Sequence, residues 1–185
     1  GEGFVQLFKK YNLEHVRLLE KYHYANGGIS RFDKIKYFYN QILNKDISEE
    51  KIINLSDEFS NIINEKIFNK DILIRESLVF IEKNFIDYNF HIVSGSDHNE
   101  LNSLCKYYKI DRYFKSINGS PTKKDILVKN VISDFEYIPE EAVLIGDAMT
   151  DYYAAKKNKI KFYGYNNEEL KKFGNYIEKF ESIKL

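Results

Sequence analysis

Two aspartates that lie four residues apart follow a short apolar run in the C-terminal part of the chain. The segment is AVLIGDAMTDYYAA, in which residues 142–145 are apolar and Asp147 and Asp151 come after the glycine. A short continuous apolar run predicts a buried parallel strand, and the residues after it predict the first turn of a helix. Open α/β sheets build their sites at the carboxyl ends of strands, and carboxylates are ligands that suit Mg²⁺. The alternative is that both acids only stabilise the start of the helix.

Two other predicted strand ends carry residue types that bind phosphate. Ser94 and Gly95 close the apolar run at 90–93, where a hydroxyl and backbone amides at a helix start favour an anion. Lys123 and Lys124 open a later helix and provide a fixed positive charge. A hydroxyl, a lysine and an acidic pair at successive strand ends predict phosphoryl transfer assisted by Mg²⁺. The alternatives are a plain Ser-Gly-Ser turn and solvated surface lysines.

The elements that must position these residues fall into two parts. Apolar residues at helical spacing predict four amphipathic helices over the first 70 or so residues, which suggests a small bundle, and Ser48 is a predicted N-cap. Strands and helices then alternate, which predicts a parallel sheet with helices on both faces. The predicted strands are 90–93, 114–117, 142–146 and 161–165. We therefore predict an α/β, Rossmann-like part at 74–185 behind a helical part at 1–73, with the boundary near residues 70–76.

Composition limits the function classes. The chain has 185 residues with 28 basic and 28 acidic side chains, so no charge excess favours nucleic acid or an anionic membrane. No apolar stretch approaches a membrane span, and the N-terminus lacks the features of a secretory signal. Cys105 is the single cysteine in the sequence, which excludes an internal disulfide and favours a reducing, cytoplasmic location. No GxxxxGK[ST] occurs, so a P-loop nucleotide-binding protein is not expected.

The motifs together resemble those of the haloacid dehalogenase-like hydrolase superfamily, in its phosphatase branch. Ser94 in HIVSGS is similar to the second motif of that family, GSPTKKDIL to the third, and LIGDAMTDYYAA closely to the fourth. The resemblance covers residues 76–165 in the family's order, and in the third motif Lys124 fits better than Lys123. It implies that the helical part is the cap that this branch inserts after its first strand.

The first motif of the family, an apolar strand followed by Asp-x-Asp, has no counterpart here. No Asp-x-Asp occurs in the 185 residues. In the family the first of these aspartates is the nucleophile and the second is the general acid/base. The resemblance therefore implies that the nucleophile lies upstream of Gly1 and that the chain as given is inactive. It also implies a gap in the sheet between the strand that ends at Ser94 and the strand that ends at Asp147.

The resemblance implies a Mg²⁺-dependent phosphomonoester hydrolase that acts on a small phosphorylated metabolite. Its catalytic residues would include Ser94, Lys124, Asp147 and Asp151, with Asp147 and Asp151 at the metal. Phosphate would be bound by Ser94, Gly95 and Lys124 or Lys123. The alternative is a catalytically inactive fragment that serves as a binding or interaction module.

Two further residues are candidates for substrate contact, and the sheet edges bear on assembly. Arg31, after a Gly-Gly turn, can reach an anion in bidentate fashion, or it forms a surface salt bridge. His98 lies close after the Ser94 loop and could contact the substrate. The alternative is that it is an ordinary surface histidine. We expect no nucleic acid and no membrane as partners. A sheet that lacks a central strand exposes edges, which favours a homodimer.

Overall fold

The helices predicted over the first 70 residues are present in the first of the two units into which the chain divides, Gly1–Asn69 and Lys70–Leu185. The computed structural model describes residues 1–68 and 73–183. The helices of the first unit are α1 (Glu2–Leu7), α2 (Leu13–Ala25), α3 (Arg31–Tyr37) and α4 (Glu49–Ile67). A π-helical turn at Phe38–Ile42 extends α3.

Serine side chains begin two of these helices. The Ser48 hydroxyl accepts a hydrogen bond from the backbone N–H of Lys51 at 3.2 Å, which confirms Ser48 as the N-cap of α4. The Ser30 hydroxyl accepts one from the N–H of Asp33 at 3.1 Å and caps α3 in the same way. Each cap satisfies a backbone donor that the helix itself leaves free, which is worth about 1 kcal/mol.

Aromatic and aliphatic side chains fill the core of the helical unit. Phe8 and Phe38 stack with their ring centroids 4.1 Å apart, and both side chains are fully buried. Leu19 of α2 and Ile52 of α4 are buried in the same cluster. Burial of each such side chain stabilises the fold by about 1.5–3 kcal/mol, so packing of the apolar helix faces holds the helices together.

The second unit alternates helices and strands. Its helices are α5 (Arg75–Asn84), α6 (His98–Tyr107), α7 (Lys124–Asp134) and α8 (Met149–Lys157). Its strands are β1 (Phe90–Asp97), β2 (Phe114–Ser120), β3 (Val143–Gly146), β4 (Lys161–Tyr165) and β5 (Asn175–Ile177). The four predicted strands are confirmed. β5 was not predicted, because three residues after a glycine carry too little pattern to be recognised.

All strand pairs in the described part of the second unit are parallel, but they form two separate sheets. β1 pairs with β2, and β3 pairs with β4, which pairs with β5. Among the described residues no ladder joins β1 to β3, so hydrogen bonding breaks between the strand that contains Ser94 and the strand that precedes Asp147. The break lies where the sequence predicted a gap.

Helices α7 and α8 form one layer that covers both sheets. α7 packs against β1, β2 and α8, and α8 packs against β3 and β4. Val93 of β1 packs against the buried cluster that contains Leu144 of β3 and Ala155 of α8. The two sheets therefore share one core although no ladder joins them among the described residues, and the carboxyl ends of their strands can contribute to one site.

The predicted boundary near residues 70–76 lies in part outside the described residues. The division into residues 1–73 and 74–185 stays a prediction, and so do the roles of these two parts as a cap and as an α/β core. Within residues 1–68 and 73–183, no helix has the length and apolar character needed to cross a membrane.

Candidate active site

A buried ion pair joins the starts of α7 and α8 at the carboxyl end of β3. The ammonium group of Lys124 donates to Oδ1 of Asp151, and the two side chains are 11% and 7% exposed. Oδ2 of Asp151 accepts a hydrogen bond from the backbone N–H of Ala148 at 3.0 Å. Both oxygens of this carboxylate are thus engaged within the protein, so Asp151 fixes the position of Lys124.

Gly146, the last residue of β3, leaves the space that Asp151 occupies. A Cβ atom built on Gly146 would overlap the carboxyl group of Asp151. Glycine is therefore required at position 146, because the side chain of Asp151 packs directly against its backbone. No unusual backbone dihedral is involved, since Gly146 is not among the positive-φ glycines of the described chain.

Asp147 differs from Asp151 in its surroundings. Asp147 is exposed, and its backbone carbonyl accepts a hydrogen bond from Nδ2 of Asn167 at 2.8 Å. This bond ties the residue to the segment after β4. Because Asn167 holds the backbone of Asp147, the carboxylate is presented to solvent from a fixed position at the end of β3.

The described residues offer a partial site for a divalent cation. Asp147 provides an exposed hard oxygen ligand, whereas the carboxylate of Asp151 already accepts from Lys124 and Ala148. Within the described chain, no cluster of three or more His, Cys, Asp or Glu side chains could hold a metal. Mg²⁺ usually binds to one or two protein carboxylates and completes its shell with water and phosphate oxygens. Asp147 fits such a role, and the metal-ligand role of Asp151 stays a prediction.

Ser94 and Gly95 lie where β1 departs from regular pairing with β2. Val93 pairs with Asn118 and Asp97 pairs with Ser120, so the three residues 94–96 stand opposite the single residue Gly119. The Ser94 hydroxyl accepts a hydrogen bond from the N–H of Ser96 at 3.1 Å. The bulge lies just before α6, whose N-cap is Asp97, since the Asp97 carboxylate accepts a hydrogen bond from the backbone N–H of Glu100. Phosphate contact by Ser94 and Gly95 stays a prediction.

The geometry distinguishes the two candidate lysines. Lys123 is exposed and precedes α7, whereas Lys124 is the first residue of α7 and contacts Asp151. The next residue, Asp125, pairs with Lys157 of α8, and the hydrogen bond from that ammonium holds the pKa of the Asp125 carboxyl below its usual value. Lys124 is therefore the lysine that pairs with Asp151. Which of the two lysines contacts phosphate stays a prediction.

Arg31 belongs to the helical unit and is buried there. Its guanidinium donates to the Ser60 hydroxyl at 2.5 Å and lies over the ring of Phe59, 4.9 Å from the centroid. Arg31 is 7% exposed, so it does not have the surface position that the salt-bridge alternative assumed, and whether it forms an ion pair stays open. The predicted substrate contact of Arg31 stays a prediction.

A second cation of α3 is also buried, and sequence reasoning missed it. The Lys34 ammonium hydrogen-bonds to Nδ1 of His23 at 3.0 Å, and Lys34 is 4% exposed. Burial lowers the pKa of Lys34 to about 8, and burial together with the Lys34 charge lowers the pKa of His23 to about 4. Both shifts have burial as their largest cause, since burial disfavours the charged form of each group.

Polar residues outside the predicted motif positions also hold this region. The Thr150 hydroxyl lies 3.5 Å from the Lys124 ammonium, and Asn167 holds the backbone of Asp147. Thr150 lies inside the GDAMTD segment, so its position next to Asp151 could have indicated that its hydroxyl lies near Lys124. Asn167 comes just after the end of β4. A polar residue at a strand end is a feature from which its contact with Asp147 could have been predicted.

His98 is exposed at the start of α6, and its ring contacts the side chain of Asn102 and the backbone of Gly119. Its Nδ1 lies 3.3 Å from the backbone nitrogen of Gly119, which donates to it. The predicted substrate contact of His98 stays a prediction. The observed bond connects the first residue of α6 with Gly119 near the end of β2.

The second unit places acidic and cationic side chains at the carboxyl ends of parallel strands, which is where open α/β sheets build their sites. A family model described as haloacid dehalogenase-like hydrolase matches residues 2–165. Because that match covers most of the chain, the protein belongs to the haloacid dehalogenase-like hydrolase family. A search of curated proteins finds no match.

Solved structures share the fold at low sequence identity. A family IA, variant 3 hydrolase of this type from Entamoeba histolytica is 18% identical with a TM-score of 0.74, covering 99% of this chain and 86% of that one. A β-phosphoglucomutase from Clostridium difficile is 19% identical with a TM-score of 0.69, covering 100% and 85%. A predicted phosphatase from Clostridium acetobutylicum is 20% identical with a TM-score of 0.67, covering 95% and 85%. The predicted fold class, α/β with parallel strands and an N-terminal helical region, is confirmed.

Proposed function

We propose that this protein is a phosphomonoester hydrolase that depends on Mg²⁺ and acts on a small phosphorylated metabolite. The observation that carries the proposal is the buried Lys124–Asp151 pair beside the exposed carboxylate of Asp147. A fixed ammonium group and a carboxylate at the same strand end suit a phosphate dianion together with a divalent cation. The names of two similar structures, a β-phosphoglucomutase and a predicted phosphatase, agree with phosphate chemistry.

Each of these side chains has a separate task in the proposal. Asp151 orients Lys124, whose charge then lies where negative charge is present on the phosphoryl group. Ser94 and the amide of Gly95 hold phosphate oxygens at the bulge of β1. Asp147 is the carboxylate that this chain offers to Mg²⁺, which when bound would neutralise phosphoryl oxygens.

The nucleophile in this proposal is an aspartate on a strand that enters between β1 and β3. That aspartate attacks phosphorus, the ester oxygen leaves with a proton, and water then hydrolyses the aspartyl-phosphate to orthophosphate. Support comes from the break between the two sheets and from the lack of any Asp-x-Asp in the 185 residues. The strand would contribute its carboxylates close to Asp147.

The test is release of orthophosphate from an aryl phosphate in the presence and absence of Mg²⁺. We expect none from the 185-residue chain, and release once a strand with Asp-x-Asp is joined upstream of Gly1. Asp147→Asn in the extended protein should abolish the Mg²⁺-dependent activity. Lys123→Met is the matched control, since Lys123 is exposed and should affect the rate much less than Lys124→Met.

Release from the 185-residue chain itself, lost in Asp147→Asn, would mean that a carboxylate within this sequence is the nucleophile. No release from the extended protein would contradict the proposal. Release from the 185-residue chain would support phosphomonoester hydrolysis but would contradict the proposed position of the nucleophile. No release from the extended protein would contradict the hydrolysis itself.

A second function, a binding module without turnover, is favoured by one observation. The described residues provide an anchored lysine and one exposed carboxylate but no group of three metal ligands. Such a chain would bind orthophosphate weakly and hydrolyse nothing. Phosphate binding without turnover in both the short and the extended protein would favour this second function.

A further inference from the structure

Two loops at the carboxyl ends of β1 and β2 are held together by side chains that no motif includes. We use the word loops for the last residues of the two strands. They are residues 94–97 of β1, which contain the proposed phosphate-binding hydroxyl, and residues 118–120 of β2, which lead to Lys124 through Pro121. Three residues of β1 stand opposite one residue of β2 in this region. A bulge of this size leaves backbone groups without ladder partners, so something else must fix its shape.

His98 supplies one of the bonds that fix it. The backbone N–H of Gly119 donates to Nδ1 of His98 at 3.3 Å. An accepting Nδ1 carries no proton, so this bond requires the Nδ1 position of His98 to be unprotonated. On the other side of the ring, Nδ2 of Asn102 lies 3.4 Å from Nε2. His98 is exposed, so it is not needed to fill a core.

Two other bonds span the same loops. The Ser120 hydroxyl donates to the backbone carbonyl of Ser96 at 3.0 Å, and Nδ2 of Asn102 donates to the carbonyl of Ile117 at 3.3 Å. Asn102 also donates to the carbonyl of His98 at 2.8 Å, which holds the start of α6 in place. We call His98, Asn102 and Ser120 the loop clasp.

Gly119 shows how closely the loops approach each other. A Cβ atom on Gly119 would lie 2.6 Å from the carbonyl oxygen of Ser96 and 2.7 Å from Cα of His98. Contacts of that length do not occur, so no side chain fits at residue 119. The clasp and the glycine together bring the backbones of the two loops into direct contact.

We propose that His98 is a positioning residue of the phosphate site. Through Nδ1 it holds the bulge that carries Ser94 against Gly119, and so sets the distance from the Ser94 hydroxyl to the helix that carries Lys124. This inference rests on the proposed function, because it assumes that Ser94 and Lys124 bind one phosphate. It gives His98 a role that differs from contact with the substrate.

The test compares two substitutions of one residue in the full chain. His98→Ala removes the acceptor, whereas His98→Asn keeps an acceptor oxygen at the same number of bonds from the backbone as Nδ1. We expect His98→Ala to weaken binding of orthophosphate with Mg²⁺ about fivefold, the equivalent of one net hydrogen bond, and His98→Asn to restore it within about twofold. The urea midpoint should hardly change, since His98 is exposed.

The bond itself has an independent readout. Amide hydrogen exchange at Gly119 should be faster in His98→Ala than in the wild type and slow again in His98→Asn. Nitrogen NMR of the His98 ring should show that Nδ1 carries no proton. A proton on Nδ1 would overturn the assignment of the clasp.

A second pair of variants tests the clasp at Asn102. Asn102→Asp replaces the donor to Ile117 with a carboxylate and should weaken orthophosphate binding further than Asn99→Asp, which adds the same charge on the exposed part of α6. Equal effects of the two variants would show that charge alone is responsible and would contradict a role for the clasp.

The outcomes separate this inference from the proposed function. Phosphate binding that is equally weak in His98→Asn and His98→Ala would point to direct contact through Nε2 and overturn the positioning role. Binding that is unchanged in His98→Ala would overturn it as well. If the wild-type chain binds no orthophosphate, the inference fails whatever the exchange at Gly119, whereas the proposed function fails only if the extended protein releases no orthophosphate from an aryl phosphate.

Discussion

Removal of Lys124 alone should destabilise the α/β unit more than removal of both partners of the Lys124–Asp151 pair, and the costs of the two single removals should not add. Lys124→Met leaves a carboxylate that is 7% exposed without its cation, and loss of one partner of a buried pair costs about 3–5 kcal/mol. Asp151 keeps the N–H of Ala148, so we expect about 3 kcal/mol. Asp151→Asn should cost about 2 kcal/mol, because the long stem of Lys124 can move its charge toward water.

The double variant Lys124→Met/Asp151→Asn leaves no buried charge and should lose about 2 kcal/mol rather than the sum of about 5, a coupling of about 3 kcal/mol. Urea unfolding of the four proteins, followed by circular dichroism, measures this cycle. Lys157→Met is the matched control, since Lys157 pairs with Asp125 between the same two helices but is 71% exposed, and its loss should cost less than about 1 kcal/mol. Additivity of the single variants within about 0.5 kcal/mol would refute the reasoning.

Three other predictions concern single residues. Gly146→Ala should push Asp151 out of its place and lower the urea midpoint clearly, and an unchanged midpoint would contradict the overlap with Asp151. Because the pKa of His23 is about 4 and that of Lys34 about 8 when folded, the unfolded chain binds more protons between pH 4 and 6.5 and between pH 8 and 10.5. Stability should therefore rise with pH in both windows. Lys34→Met should abolish the upper rise and stabilise the protein at pH 7, which urea midpoints against pH will check. Burial raises the pKa of the Cys105 thiol, so its reaction with a disulfide reagent should be slow until urea unfolds the chain.

Much of the fold follows from local patterns in the sequence. The apolar runs that became β1 and β3 are short and continuous, and such runs are typical of strands covered on both faces. Ser48 and Asp97 are capping residues whose role depends on the next three residues alone. These features are local, so they can be recognised without knowledge of the remaining structure.

Contacts between distant segments could not be predicted. The bond from His98 to Gly119 joins residues 21 apart, and the bond from Asn167 to Asp147 joins residues 20 apart. His98 and Asn167 are residue types that are common on protein surfaces, so no sequence pattern indicates that they form these bonds. The same holds for Lys34, whose burial against His23 depends on how α2 and α3 pack.

The break between the two sheets has a consequence that hydrogen exchange can measure. β1 pairs with β2 and β3 with β4, so the facing edges of β1 and β3 have no ladder partner among the described residues. Along a strand, alternate amides point to opposite edges, and those on an unpaired edge exchange readily. We therefore expect fast exchange at every second amide of β1 and β3 in the 185-residue chain, and slow exchange at the same amides once the upstream strand is joined. The amides of β4, which has neighbours on both sides, serve as the internal control. If the edge amides of β1 and β3 were already as slow as those of β4 in the short chain, no strand would be missing between them, and the proposed position of the nucleophile would be wrong.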